Sequence, residues 1–111
     1  MQVSIIYSIY DRKAQYYLPL FNARTDADAV RSFTQIVTQS ETDIAKYPAD
    51  FDLIRLGKIH LETGLIDREW PVGLVINGLV CLQNAHTERA RYQSLLSNQQ
   101  VDIEEIIAEN P

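Results

Sequence analysis

The 111-residue sequence predicts an α+β domain: a small, mainly antiparallel sheet with an amphipathic helix packed on one face and a helical C-terminal segment. Three observations point there. The first twenty residues read as a β-hairpin, the clearest helix start follows at Thr25, and a second strand-like run begins at Phe51. Residues 1–97 are expected to form one domain, with 98–111 an acidic tail or short helix.

Gln2 to Tyr10 is rich in β-branched and aromatic residues, and Ile5, Tyr7 and Ile9 alternate with Ser4, Ile6 and Ser8. Asp11-Arg12-Lys13 makes a polar turn, and Gln15 to Phe21 returns. Pro19 lacks an amide donor, so it places this second strand at an edge or marks a bulge near its end. Adjacent Tyr16 and Tyr17 face opposite sides of a regular strand, which predicts at least one of them on the core side.

Thr25-Asp26-Ala27-Asp28 carries a capping hydroxyl with an acid three residues on. Ala29, Val30, Phe33, Ile36 and Val37 follow at helical spacing. Ser40-Glu41-Thr42-Asp43 repeats the capping pattern for a short helix that Pro48 stops. In Phe51 to Leu61 the apolar phase changes: Ile54 and Leu56 have one parity, Ile59 and Leu61 the other. A bulge at Gly57 would put all four on one face. Glu62-Thr63-Gly64 then turns into a strand from Leu65 to about Trp70-Pro71.

The segment after Pro71 supports two readings. Asn77-Gly78 between apolar runs is a hairpin signal. Pro71 at a first helical position, and Val72, Val75, Leu79, Leu82, His86 and Arg89 at 3-4-3-4-3 spacing, favour a helix from Pro71 into the nineties. The tail could add a short amphipathic helix through Val101, Ile103, Ile106 and Ile107, or remain loose.

Composition narrows the functional classes. The net charge is −5, and residues 69–111 carry two Lys/Arg against six Asp/Glu, so a strongly basic nucleic-acid binder is excluded. A basic patch on the N-terminal part is compatible with the count. The lone cysteine, Cys81, predicts a reducing, cytosolic setting, and the longest apolar run is too short to cross a membrane. No phosphate-cradling glycine loop, nucleophile elbow or metal-ligand spacing is present, and His60 and His86 stand apart. His60 reads as a surface strand residue and Cys81 as a small buried hydrophobe. The expectation is a non-enzyme without cofactor or metal.

What composition leaves is an aromatic and basic surface. Single-stranded nucleic acid is held by stacking bases on exposed rings while cations track the phosphates. Tyr10, Tyr16 and Tyr17 are candidate stacking residues, and Arg12, Lys13, Arg24, Arg31, Arg55 and Lys58 candidate phosphate contacts. The same tyrosines would equally serve as cross-strand pairs half-covering a core.

Several motifs together resemble one family. They are Tyr7–Asp11, Lys13-Ala14, Pro19–Phe21, Arg31–Phe33, Pro48–Leu53, Gly57 and Thr63-Gly64, in order across roughly residues 5–80. This pattern resembles the nonstructural accessory proteins of gokushovirus-type microviruses, small phages with circular single-stranded DNA. It departs at Lys58, where the family often has an acid, and runs longer beyond Leu82. The resemblance implies a protein outside the virion, in the host cytoplasm, assisting DNA replication and single-strand synthesis. The expected partners are single-stranded DNA and viral or host replication proteins, and the apolar C-terminal residues add a second copy of the chain as a homo-oligomer. The alternative is an adaptor that touches no DNA, suggested by the acidic tail and by Leu95, Leu96, Ile103 and Ile107.

Overall fold

The computed structural model describes residues 2–39 and 41–109, with side chains described as far as Ser97. Five strands form one antiparallel sheet. They are β1 (Val3–Asp11), β2 (Tyr16–Tyr17), β3 (Phe21–Ala23), β4 (Phe51–His60) and β5 (Ile66–Asn77). The order is β2-β1-β4-β5, and β3 pairs with β1 on the edge that β2 also uses. The α+β expectation holds.

The opening hairpin forms with its return strand broken in two. Tyr10 pairs with Tyr17 and Tyr7 with Phe21, so three residues, Leu18 to Leu20, oppose only Ser8 and Ile9. Pro19 sits in this bulge, where no ladder donor is required. Ser8 is fully buried and its hydroxyl donates to the Leu18 carbonyl at 2.6 Å, which satisfies both groups.

Alternation along β1 and β4 divides the sheet cleanly. Tyr7, Ile9, Phe51 and Leu53 face the helices, where helix α1 (Asp26–Thr38) contributes Ala29, Phe33 and Val37. As predicted, Thr25 caps α1, its hydroxyl accepting from the Asp28 amide at 3.2 Å. Helix α2 (Asp43–Lys46) is capped by Thr42, whose hydroxyl accepts from the Ala45 amide; Ser40 lies outside the described residues. Tyr7 and Phe21 stack with centroids 5.7 Å apart and close the core at its edge.

The phase change in β4 is a bulge. Tyr7 pairs with Arg55 and Ile6 with Gly57, leaving Leu56 extra. Ile54 and Ile59 consequently share the face away from the helices, while Leu61 lies past the strand end and is exposed. Gly57 is required by contact: a Cβ there would strike the Asp67 carbonyl of β5.

The expected helix from Pro71 is corrected. Pro71 to Asn77 continues β5, with Ile76 opposite Leu53 and Leu74 opposite Ile54; Val75 is an extra residue between them. That bulge resets the strand alternation and so imitates helical spacing. The β-branched run Val75-Ile76 then joins the core from two consecutive positions.

Asn77-Gly78 is no hairpin turn either but a strand-to-helix junction. Helix α3 (Gly78–Glu109) starts there, and the Asn77 Oδ1 accepts from the Leu79 amide at 2.9 Å. Its Nδ2 donates to Asp52 at 2.8 Å and to the Ala49 carbonyl at 3.0 Å, so one side chain fixes the junction to the Pro48–Asp50 turn and to β4. With no Pro or Gly after Gly78 until Pro111, nothing stops α3, and residues 98–109 continue its backbone.

Cys81 is buried in the core, as expected, and lies 3.0 Å from the Thr34 hydroxyl where α3 crosses α1. A Cβ on Gly78 would collide with the Pro48 carbonyl oxygen. Gly78→Ala is therefore expected to destabilise the fold by about 1–3 kcal/mol, read as a lower urea midpoint with an unchanged slope.

Candidate nucleic-acid interface

Antiparallel partners share a face, so the side of the sheet away from the helices can be read row by row from the register. The first row is Tyr17, Tyr10, Asp52 and Asn77; the next is Ser8, Ile54 and Leu74. Then come Asn22, Ile6, Gly57 and Arg68, and last Ser4, Ile59 and Ile66. Ile6 and Ile54 are buried within this face, while Leu74 and Ile66 are more than half exposed.

Two aromatic stations occupy it. At one end the Tyr10 and Tyr17 rings tilt together with centroids 4.8 Å apart. Two rows away the Arg68 guanidinium lies 4.3 Å from the centre of the Trp70 ring, and Trp70 is 72% exposed. Trp70 owes its position to an irregularity in β5. Four residues, Glu69 to Val72, oppose the single Leu56, and this part of the strand carries the ring outward.

The turn beside the first station is well determined. Asp11 accepts from the Lys13 and Ala14 amides at 3.0 and 3.1 Å, and Gln15 takes a positive φ of 63° to close it. Arg12 lies 3.9 Å from Asp52, with 59% of its side chain exposed, and Lys13 is exposed. Tyr16 is on the helix side by alternation, but it sits beyond the helices and is 55% exposed. One of the pair, Tyr16, thus takes the core side as expected, yet neither Tyr16 nor Tyr17 is buried; the tyrosine that fills the core is Tyr7.

The remaining candidate cations do not gather at this end. Arg24 lies beside Ser4 and Leu61, at the far end of β1, about 25 Å away by strand length. Arg31 is exposed on α1, on the helix side. Lys58 is exposed and pairs in register with Asp67 on the helix-side face.

Arg55 is engaged from two sides. Its Nη1 donates to Asp26 at 2.6 Å and its Nε to Glu69 at 2.8 Å, and the Glu69 hydrogen bond raises its pKa further. The Tyr7 hydroxyl donates to the other Asp26 oxygen at 2.6 Å; burial and that carboxylate push its pKa well above the ordinary tyrosine value. Arg55 is thus a joint between β4, α1 and β5 rather than a free phosphate contact. Arg68 and Trp70 were missed by sequence reasoning, although their i, i+2 spacing in a strand puts both on one face.

His60 is more than the surface residue expected. Its side chain is 18% exposed, and Nε2 lies 2.7 Å from Asp67, whose pKa this hydrogen bond lowers. Among the described residues no group of three His, Cys, Asp or Glu could hold a metal. Nor is any described helix long and apolar enough to cross a membrane.

A sheet covered by helices on one side, with an exposed, aromatic-bearing second face, defines the class: a small α+β domain. The chain belongs to the Phage ORF5 protein family, whose model matches residues 4–81. It is 36% identical over 83 residues to Protein ORF5 of Chlamydia phage 1, covering 71% of this chain and 80% of that protein. The resemblance to gokushovirus-type phage proteins read from the sequence is borne out. No solved structure matches. The matched segment ends at Cys81, so the family model covers the sheet, α1 and only the first residues of α3.

Two measurements check the electrostatic assignments. Arg55→Gln is expected to cost about 1–2 kcal/mol of stability, read by urea unfolding, because two carboxylates lose a charged donor in a partly exposed site. Asp67 has a lowered folded pKa, so its contribution is present above the ordinary carboxylate value and lost as pH falls through the lowered one. Carbon-13 titration should place Asp67 below its usual range, and His60→Ala should move it upward.

Proposed function

We propose that this phage protein is a replication accessory factor that holds single-stranded DNA, weakly and without sequence preference, on the exposed face of its sheet. The observation that carries the reading is the pair of aromatic stations there, Tyr10/Tyr17 with Arg12 and Lys13 at the rim, and Trp70 with Arg68 over its ring. Bases stack on the rings and the three cations meet phosphates, while Ile54 and Leu74 in the row between them exclude water. The reading places the protein in the host cytoplasm, outside the virion, during single-strand synthesis.

Weak binding follows from the charges. Asp52 shares the face with Tyr10, and the chain as a whole carries −5. Three phosphate contacts give an expected slope of log affinity against log salt of about −2 for a single strand. Arg12→Ala/Lys13→Ala should flatten it by about 1.4. Tyr17→Ala and Trp70→Ala should each weaken binding by about 1–3 kcal/mol with the slope unchanged, measured by fluorescence anisotropy. No binding of any oligonucleotide at low salt overturns the proposal.

An adaptor that contacts viral or host replication proteins instead of DNA is favoured by a different observation, the exposed Tyr92, Leu95 and Leu96 on α3. Leu95→Asp/Leu96→Asp combined with deletion of residues 98–111 separates the two. The adaptor loses its protein association, whereas DNA binding on the sheet is unchanged or tighter once the acidic end is gone.

A further inference from the structure

The two aromatic stations lie on different strands and at different heights along the sheet, and the register gives their separation. Tyr10 is in the first row on β1. Trp70 lies between the Leu74 row and the Arg68 row on β5, two strands across. Neighbouring strands are about 4.8 Å apart and successive rows about 6.7 Å, so the Tyr10/Tyr17 pair stands roughly 16 Å from Trp70.

Each station has room for one base at a time. The Tyr10 and Tyr17 centroids are 4.8 Å apart, and a base between two rings needs about 3.4 Å on either side. A base therefore stacks on the outside of the pair and not within it. At the other station the Arg68 guanidinium covers one face of the Trp70 ring, which leaves the opposite face.

The ground between the stations selects a path. Among the described residues of the four rows, Asp52 is the one acid, and it stands beside Tyr10 in the first row. A strand following that row from Tyr10 would run onto the Asp52 carboxylate and then Asn77, whose amide already donates to it. The diagonal from Tyr10 crosses Ile54 and passes Leu74 to reach Trp70, an apolar floor without an acid. Cations stand at both ends of the diagonal, Arg12 and Lys13 at one and Arg68 at the other.

Resting on the single-strand reading of this face, we propose that the two stations are one continuous site, crossed diagonally by a single strand. It stacks one base at each station and lays two between them over Ile54 and Leu74. The count comes from the separation. A strand advances about 3.4 Å per nucleotide when fully stacked and about twice that when drawn out, so three steps at intermediate extension span the gap. The smallest ligand that fills the site is about four nucleotides long. The second stacking contact is then made at the effective concentration set by the short backbone between the two, which joins two modest contacts into one binding event.

Trp70 is the only tryptophan, so quenching of its fluorescence reports its station alone. Oligothymidylates of two to eight nucleotides are titrated at low salt. Affinity is expected to rise about tenfold between two and four nucleotides, and beyond four only with the number of ways of placing the strand. Tyr10→Ala/Tyr17→Ala should remove the step and leave quenching by the dinucleotide unchanged. The wild type offers the same contrast: a four-nucleotide strand abasic at either end should lose the step, and one abasic at an inner position should keep it. A rise that only follows the number of placements, or a step that persists in the double variant, overturns the one-site proposal and leaves DNA binding on the face intact. So does a greater loss from inner than from end abasic positions. No binding at any length overturns the single-strand reading itself, and the site with it.

Discussion

Arg55 ties four parts of the molecule together. From β4 it reaches Asp26 in the first turn of α1 and Glu69 in the irregular stretch of β5, while Tyr7 of β1 donates to the same Asp26. A guanidinium on the core side of a sheet is costly unless its donors are met, and here two carboxylates meet them. The network sets where α1 begins relative to the sheet. It thereby decides that Phe33 and Val37 cover Tyr7, Ile9 and Leu53, and that one face of the sheet is the helix face. The carboxylate of Glu69 also holds the place where β5 departs from regular pairing, directly between Arg68 and Trp70 in the chain.

Everything distinctive about the exposed face follows from that departure and from the bulges around it. A regular five-stranded sheet of this sequence would place alternate residues of β5 on predictable sides throughout. Instead, four residues oppose one at Leu56, and Val75 is extra, so Trp70 projects while Val75 and Ile76 both pack inward. The result is a face with buried Ile6 and Ile54 at its centre and aromatic rings at two stations. Aromatic rings with one apolar side and a neighbouring cation suit nucleobases, whose faces are alike in every sequence.

The hairpin, the Thr25 cap and the apolar stripe of α1 were legible because each depends on neighbours in sequence. So was the phase change at Gly57, since a bulge leaves its mark in parity. The strand from Pro71 to Asn77 was not. Val72, Val75, Leu79 and Leu82 satisfy helical spacing through a bulge that only pairing with β4 creates, so the local pattern and the tertiary outcome disagree. The site was half legible for a related reason. Arg12, Lys13, Tyr10 and Tyr17 lie in one hairpin and were found together, whereas the engagement of Arg55 needs Asp26 and Glu69 from distant parts of the chain. Trp70 and Arg68 escaped because their strand was expected to end there.

Under the proposed reading, a face with three cations and an acid, on a chain of net charge −5, would hold a single strand weakly at physiological salt. Acidic composition and nucleic-acid contact are compatible on that reading because the two are separated along the chain. Five of the six acids in residues 69–111 follow Cys81 in the sequence of α3, whereas the rings and cations lie on the sheet and its rim.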